Sequence, residues 1–436
     1  MEPADLLIDA RWVVPVEPAD TVLEHHSVAI TGGKIVAVLP TTEAAARFDA
    51  RERVTLNTHV LIPGLINLHT HAAMTLMRGF ADDLPLMTWL NDHIWPAEAR
   101  HVSHEFVRSG TLLACAEMLR GGVTCINDMY FFPEAAAEAA LRAGMRASLG
   151  MIALEFPTAY ASGPDEYLAK GLDLRDRLRH EPLLSFCLAP HAPYTVSDAT
   201  FTRIAGYAAE LGLPVHIHVH ETAEEVANEL AQTGQRPLAR LQRLGLVGPQ
   251  LIAVHAVHLD ADDIALLAHH GASVAHCPAS NLKLASGIAP VATLIDAGVN
   301  VGIGTDGAAS NNRLDMFAEM RLAALLAKGA SGRADVLPAH AALHAATLAG
   351  ARALGLDARI GSIIPGKCAD LTAVNMGKIE LMPIYDPISH LVYAAERSDV
   401  SDVWVNGKPV VKKQQLMGIK KEELESIAVV WQNWMK

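Results

Sequence analysis

Eight apolar segments recur along the middle of the chain, and polar stretches with helical periodicity separate most of them. The segments are short and rich in Val, Ile and Leu, which is typical of strands buried on both faces. They are VLIPGLINLH, GVTCINDM, MRASLGMIAL, LLSFCLAP, LPVHIHVH, LIAVHAV, ASVAHC and NVGIG. Eight strand units with helical connections predict an α/β fold of the (β/α)8 TIM-barrel type, and a doubly wound parallel sheet is the alternative.

The two ends of the chain have a different pattern, in which short alternating or apolar runs are broken by Gly and Pro. LLIDARWVVPV near the start and VSDVWVNGKPVV near the end both predict strand–turn–strand units, with Asn406-Gly407 as a hairpin signal. We therefore predict one small β-sandwich domain built from both termini. The predicted boundaries are 1–60 for its N-terminal part, 61–360 for the barrel, and 361–436 for its C-terminal part with a helical tail.

Composition excludes several classes of protein. Of the 436 residues, 51% are hydrophobic and 19% are charged, which provides an ample core and excludes a disordered chain. The net charge of −13 argues against a nucleic-acid partner and favours a neutral or cationic substrate. No apolar stretch reaches the length of a membrane span, and the start does not resemble a signal peptide. Five cysteines without a CxxC pair are typical of reduced thiols, so we expect a cytoplasmic protein.

Histidines stand at the ends of several predicted strands, where barrel enzymes place their chemistry. His69 and His71 close the first strand, and side chains two residues apart on a strand point the same way. Two imidazoles on one side can share a metal ion at about 2.0–2.1 Å each. His216, His218 and His220 are predicted to share one face of the fifth strand, and the spacing leaves open which of them binds metal.

Three further polar residues follow strands of the same barrel. Glu221 lies just past the fifth strand, where a general acid/base would be placed, and His255 ends the sixth. Asp306 follows the eighth strand, and a buried aspartate is costly unless it is paired, caps a helix or binds metal. Each residue alone has an ordinary structural explanation, such as a hydrogen-bonded core histidine. Together, the four strand ends predict a metal site with an adjoining acid/base pair.

Other functional classes lack their characteristic motifs. The segment GIGTDG at 302–307 matches the GxGxxG pattern of dinucleotide-binding proteins. However, AASNNR follows it where a helix should begin, and Asp306 would place a carboxylate beside the phosphates, so we expect no NAD-dependent oxidoreductase. The HExxH, GxSxG and Walker A motifs are absent, as is the H-x-E…P-C-x-x-C signature. A non-catalytic metal-binding scaffold would leave Glu221 and His255 without a task.

Five motifs together resemble the amidohydrolase superfamily, and within it the family of 5-methylthioadenosine/S-adenosylhomocysteine deaminases, with triazine hydrolases as relatives. The motifs are PGLINLHTHAAMTLMRG, HVHETAEE, HAVHLD, HCPASNLKLASG and VGIGTDGAASNN. The resemblance implies a barrel with a β-sandwich from both termini. It also implies one divalent metal ion per subunit, Zn²⁺ first, with Fe²⁺ or Mn²⁺ as alternatives.

Carried over motif by motif, the resemblance assigns roles at the strand ends. The implied metal ligands are His69, His71, His218 and Asp306. The implied catalytic residues are Glu221, which moves protons, and His255 and Asp306, which orient the attacking hydroxide. Binuclear branches of the superfamily carry a carboxylated lysine at the end of the fourth strand. LLSFCLAP contains no lysine, which favours a single metal ion and deamination.

The resemblance also implies substrate contacts in the loops. These are Trp89 as an aromatic wall, Glu98 for the ribose hydroxyls, His191 and again Glu221. Without the resemblance, Trp89 fits loop packing and Glu98 fits a carboxylate in the first turn of a helix. His276 and Asn281 lie in a family motif, and neither receives a role.

The implied reaction replaces the 6-amino group of an adenine nucleoside by oxygen and releases ammonia. EFPTAYASGPDEY, after the third strand, contains no arginine that could pair an amino-acid carboxylate. We therefore expect 5′-methylthioadenosine to be preferred, with S-adenosylhomocysteine and adenosine as further candidates. The alternatives are a guanine or cytosine deaminase and a triazine-type heteroaromatic hydrolase, which would have no ribose for Glu98 to hold. We expect a small-molecule purine nucleoside as substrate, a homo-oligomer, and neither a nucleic-acid nor a membrane partner.

Overall fold

In the computed structural model, which describes residues 1–435, the two ends of the chain form one mixed eight-stranded sheet. Its strands are β1 (Glu2–Val13), β2 (Leu23–Thr31), β3 (Lys34–Pro40), β4 (Phe48–Pro63), β13 (Leu371–Asn375), β14 (Val400–Val405), β15 (Lys408–Lys412) and β16 (Gln415–Leu416). β4 joins the two parts, because it pairs in parallel with β1 and antiparallel with β13. Asn406 and Gly407 take the left-handed backbone that a tight β14–β15 hairpin requires. The predicted β domain from both termini is confirmed.

The middle of the chain forms the predicted barrel. Its strands are β5 (Leu65–Thr70), β6 (Val123–Asp128), β7 (Arg146–Ala153), β8 (Leu184–Pro190), β9 (Val215–Val219), β10 (Leu251–His255), β11 (Ser273–His276) and β12 (Asn300–Ile303). They are parallel and neighbour one another in chain order, whereas a doubly wound sheet reverses its order at a switch point. Nearly every strand residue is buried, which explains why these segments are continuously apolar rather than alternating.

Helices alternate with the barrel strands and cover their outer face, whereas the helix Thr41–Arg47 packs against β2, β3 and β4 of the β domain. Several begin at a Ser, Thr or Asp whose side chain accepts a backbone N–H of the first turn, as at Ser103, Thr222 and Asp315. The helices are Thr41–Arg47, Leu86–Thr88, Trp95–His101, His104–Arg120, Pro133–Ala143, Pro164–Leu178, Asp198–Leu211, Ala223–Thr233, Pro237–Arg243, Ala261–His270, Pro278–Lys283, Val291–Asp296, Ala308–Asn311, Met316–Ser331, Ala339–Ala345, Leu348–Ala353, Pro387–Tyr393 and Lys421–Trp434, with a π-helical segment at Trp89–Ile94. None of the helices at residues 1–435 has both the length and the apolar composition needed to cross a membrane.

The side chain of Asn67 bridges the seam between β5 and β12. Its Oδ1 accepts the backbone N–H of Thr305 at 2.9 Å, and its Nδ2 donates to Thr305 Oγ1 at 2.7 Å. One residue further on, the backbone N–H of Asp306 donates to the carbonyl oxygen of His69 at 3.0 Å. These bonds replace a strand ladder, and they hold His69 and Asp306 side by side.

The first apolar segment differs from its prediction, because it contains the end of one strand and the start of another. β4 ends at Pro63 and β5 begins at Leu65. Gly64 makes the turn, and a Cβ there would lie 2.0 Å from Thr124 Oγ1, so only glycine fits. Hydrophobic periodicity does not reveal this break, since the last four residues of β4 and all of β5 are buried. The predicted domain boundaries at 60/61 and 360/361 stay predictions.

Candidate active site

Three imidazoles and one carboxylate converge at the carboxyl end of the barrel. His69 Nε2 lies 3.2 Å from Asp306 Oδ1 and 3.2 Å from His218 Nε2, and His71 Nε2 lies 3.3 Å from the same Asp306 oxygen. Ligand atoms that surround a zinc ion tetrahedrally at about 2.0–2.1 Å are themselves about 3.3 Å apart. These three distances match that spacing, and His69 belongs to two groups that could hold a metal ion, one with His71 and Asp306 and one with His218 and His255.

The far side of each imidazole is anchored. The Nδ1 atoms of His71 and His218 donate to the backbone carbonyl oxygens of Met129 and His191, the second at 2.8 Å. His69 Nδ1 also has a partner, which is another imidazole. A histidine that donates from Nδ1 presents an unprotonated Nε2, which is the form that binds metal. The donor set therefore fits a divalent cation in chemistry as well as in spacing.

Asp306 is held on both of its oxygens. Oδ2 accepts the hydroxyls of Ser280 and Ser310 at 2.6 and 2.7 Å, and Oδ1 accepts the backbone N–H of Gly307 at 2.7 Å. Burial opposes ionisation, but the hydrogen bond to His69 and the surrounding imidazoles outweigh it and hold the pKa of Asp306 well below its usual range. The residue is therefore a carboxylate at neutral pH.

Left-handed backbone aims several of the strand-end side chains. His220, His255 and Asp306 have φ angles of 58°, 69° and 61°, which L-residues rarely adopt and which concentrate at functional sites. The left-handed backbone at His255 interrupts the alternation of side chains along the strand. Its ring stacks on the ring of His218, with centroids 5.5 Å apart and planes inclined by 22°.

The prediction that three histidines of β9 share one face is wrong for His220. Its left-handed backbone turns the ring away from the metal-binding imidazoles. There its Nε2 accepts the backbone N–H of Leu238 at 3.2 Å, and its Nδ1 lies 3.0 Å from the carbonyl oxygen of His258. His220 is a structural residue that supports the loop after β9.

Glu221 and His255 lie together beside the proposed ligands. His255 Nε2 is 3.7 Å from Glu221 Oε2, and both side chains are buried. Burial raises the pKa of Glu221, although the nearby imidazole of His255 counteracts it. Burial also opposes a charge on His255, but the carboxylates of Glu221 and Asp306 raise its pKa. Both groups therefore keep a proton to a higher pH than they would in water, which suits groups that transfer protons.

A cavity of about 530 Å³ opens above these residues. Trp89, Glu98 and His191 line it with Glu221 and His255, and most of the remaining wall is apolar. Among the described residues, no Lys or Arg lines this cavity. Its dimensions and its few polar groups are those of a small-molecule site.

Glu98 is tied to the wall of the cavity by Tyr130, whose hydroxyl donates to Oε1 at 2.6 Å. Burial raises the pKa of Glu98 to about 7, and the hydrogen bond from Tyr130 limits this rise. The indole Nε1 of Trp89 is buried and has no hydrogen-bond partner among residues 1–435. Both side chains therefore keep hydrogen-bonding capacity for a ligand.

A family model described as the amidohydrolase family matches residues 60–410. A 5-methylthioadenosine/S-adenosylhomocysteine deaminase of Teredinibacter turnerae is 50% identical, over 98% of this chain and 97% of the relative. The chain belongs to the amidohydrolase family. A second deaminase of the same name, from Saccharophagus degradans, is 50% identical over 99% of this amidohydrolase and 96% of its own length. The crystal structure of an adenosine deaminase from Xanthomonas campestris with bound zinc is 53% identical, with a TM-score of 0.98 and coverage of 100% and 99%.

The structure of this amidohydrolase brings together the residues singled out from the sequence. These are His69, His71, His218, Glu221, His255, Asp306, Trp89, Glu98 and His191. Their individual roles stay predictions. Sequence reasoning missed Tyr130 and Ser286, whose hydroxyl lies 3.4 Å from Glu221 Oε1. The sequence around Tyr130 and Ser286 contains no motif that distinguishes them from other polar loop residues.

Proposed function

We propose that this amidohydrolase is a metal-dependent hydrolytic deaminase of adenine nucleosides, with 5′-methylthioadenosine as the preferred substrate. The product would be the corresponding 6-oxo purine nucleoside, with ammonia as the second product. The observation that carries the proposal is the placement of Glu221 and His255 beside four converging metal-binding groups, at the base of a cavity that also contains Glu98. The names of the relatives support the same reaction.

The proposed metal ligands are His69, His71, His218 and Asp306. Zn²⁺ is the first candidate, and Fe²⁺ and Mn²⁺ are the alternatives. A divalent ion held by these groups would supply Lewis-acid chemistry that lowers the pKa of water. Because His191 anchors His218 through its carbonyl oxygen, it belongs to the same arrangement.

The proton transfers are assigned to Glu221. Its carboxylate takes one proton from the attacking water and delivers it to N1 of the adenine ring. Protonation of N1 makes C6 electrophilic, so the hydroxide adds there while His255 hydrogen-bonds the attacking oxygen. Transfer of the remaining proton from this oxygen to the amino nitrogen lets the C6–N bond break, and ammonia leaves. Water and the amine are thereby converted into the 6-oxo purine and ammonia without any other reactant.

The substrate contacts follow from the cavity wall. Glu98 accepts hydrogen bonds from the ribose hydroxyls, Trp89 forms an aromatic wall, and His191 provides a further polar contact. The 5′ substituent meets a wall without Lys or Arg at the described positions. An uncharged methylthio group suits such a wall, whereas the carboxylate of an amino-acid tail would lose water without gaining a partner.

We further propose a homo-oligomer in the cytoplasm without nucleic-acid or membrane partners. The net charge of −13 supports the absence of a nucleic-acid ligand. Light scattering on the purified chain measures the oligomeric state directly.

A substrate panel tests the proposed reaction. The zinc-loaded protein is incubated with 5′-methylthioadenosine, S-adenosylhomocysteine, adenosine, guanine, cytosine and a triazine, and the released ammonia is measured. We expect release from the adenine nucleosides, fastest from 5′-methylthioadenosine. Turnover of a free base or the triazine alone would contradict the proposal.

A further inference from the structure

His216 lies behind the proposed metal site. It stands on β9 two residues before His218, and its side chain is completely buried. Its Nε2 is 2.9 Å from Nδ1 of His69, and the two ring centroids are 4.9 Å apart with planes inclined by 72°. The Nε2 edge of the His216 ring therefore faces Nδ1 of His69, the nitrogen that points away from the metal-binding groups.

The direction of this hydrogen bond decides whether His69 can bind metal. A neutral imidazole carries its proton on one nitrogen only. If His69 Nδ1 donates to His216, then His69 Nε2 is free to bind a cation. If His216 donates instead, then the proton of His69 must sit on Nε2, where it blocks the site.

The other two proposed histidine ligands do not depend on such a choice. His71 and His218 donate to backbone carbonyl oxygens, which can only accept. Among the three proposed histidine ligands, His69 is the one whose partner, the imidazole of His216, can either donate or accept the hydrogen bond. The tautomer of His216 therefore determines whether His69 Nε2 is free to bind the metal ion.

A hydrogen bond from His69 to His216 has an energetic cost at the opposite edge of the His216 ring. Its Nδ1 is buried and has no hydrogen-bond partner among residues 1–435. When Nε2 accepts from His69, this Nδ1 carries the proton and leaves a buried donor unsatisfied, which is unfavourable for folding. A leucine would avoid that cost but would provide no acceptor for His69.

We propose that His216 is a positioning residue that accepts the Nδ1 proton of His69 and thereby holds His69 Nε2 ready for the metal ion. The inference rests on the ligand set of the proposed function. It predicts that His216 controls metal affinity without touching the metal ion or the substrate. Loss of a partner of this kind weakens metal binding by about 10–100-fold.

The test compares zinc affinity and zinc release in His216→Leu, His216→Gln and the unaltered chain. A competing chelator gives the affinity and an excess of chelator gives the release rate. We expect His216→Leu to bind zinc about 10–100-fold more weakly and to release it faster. The glutamine amide oxygen reaches as far from the backbone as histidine Nε2, so His216→Gln should restore most of the affinity.

His276→Leu is the matched control. His276 is also buried and also lies on a barrel strand, and neither of its ring nitrogens has a hydrogen-bond partner among the described residues. Removing this imidazole should leave zinc affinity unchanged, because it contacts none of the proposed ligands through a hydrogen bond. A similar loss in both leucine variants would assign the effect to core packing and overturn the inference.

A measurement on the unaltered protein avoids any folding defect of the variants. Nitrogen-15 histidine spectra of the zinc-loaded chain report which ring nitrogen carries the proton. We expect His69 and His216 both in the Nδ1–H form, and an Nε2–H form of His216 would overturn the inference. Absence of zinc binding by the unaltered chain would overturn the metal site as well. Equal zinc affinity in folded His216→Leu and the unaltered chain would overturn this inference alone.

Discussion

The imidazole of His255 donates from Nδ1 to Asn281 Oδ1 at 2.8 Å, and its opposite edge faces the carboxylate of Glu221. Asn281 lies in the helix Pro278–Lys283, so it reaches His255 from the next βα unit of the barrel. Since an amide oxygen only accepts, this bond leaves His255 Nε2 directed at the cavity in every protonation state. Asn281 thereby receives a role that its sequence motif did not reveal.

Replacing Asn281 should reduce turnover through the orientation of His255. In Asn281→Ala the ring loses its anchor, and a hydrogen bond worth about 1 kcal/mol corresponds to a decrease of roughly five- to tenfold in kcat. Zinc content should stay the same, and KM should change little. Asn281→Asp keeps an acceptor and should retain more activity. Equal kcat in a folded, zinc-loaded Asn281→Ala would contradict this role.

Glu221→Gln should remove the proton-transfer group while keeping the size of the side chain. General acid/base catalysis contributes about 10²–10⁴-fold, so kcat should fall by at least this factor. Zinc content measured by elemental analysis should not change. Glu224→Gln is the control, because Glu224 is exposed on the following helix. Near-normal turnover of Glu221→Gln would refute the assignment.

Glu98 should give nucleoside binding a pH dependence near neutrality. Because burial raises its pKa to about 7, part of the population is protonated at pH 7 and lacks one acceptor for the ribose hydroxyls. kcat/KM should therefore rise as the pH increases through about 7, and Glu98→Gln should lose this limb of the profile. Tyr130→Phe removes a bond that lowers the pKa, so it should move the limb to higher pH. An identical pH profile in Glu98→Gln would contradict the role in ribose binding.

The cavity wall, which contains no Lys or Arg at the described positions, should discriminate against a zwitterionic 5′ tail. We expect kcat/KM for 5′-methylthioadenosine to exceed that for S-adenosylhomocysteine by at least about tenfold, a difference of about 1.4 kcal/mol. Ala159 is exposed and lines the cavity, so Ala159→Arg should narrow the gap while Ala159→Gln should not. Equal efficiency with both substrates in the unaltered chain would refute this preference.

The convergence of His69, Asp306 and the histidines of β9 was predictable because the barrel brings strand ends to one face, whereas the choice of His218 among these histidines came from the family resemblance. Apolar segments locate the strands, parallel order places their carboxyl ends together, and the residues that follow must meet there. The same reasoning placed Glu221 and His255 beside them. No knowledge of side-chain partners was needed for these residues.

Partners from distant segments were not predictable in this way. Periodicity states which face a residue occupies, but not which loop covers it, so the contact of Glu98 with Tyr130 remained hidden. His220 was misplaced because alternation assumes extended backbone, and its φ of 58° reverses the direction of the ring. The break at Gly64 was missed because the residues on both sides of it, 60–63 of β4 and all of β5, are buried.

The most direct test of the account is the rate of ammonia release from 5′-methylthioadenosine, measured while zinc is added to the metal-free protein. The account predicts no release without metal, a linear increase with added zinc, and a plateau at one zinc ion per chain. No release at any zinc concentration, or a plateau at two zinc ions per chain, would contradict it.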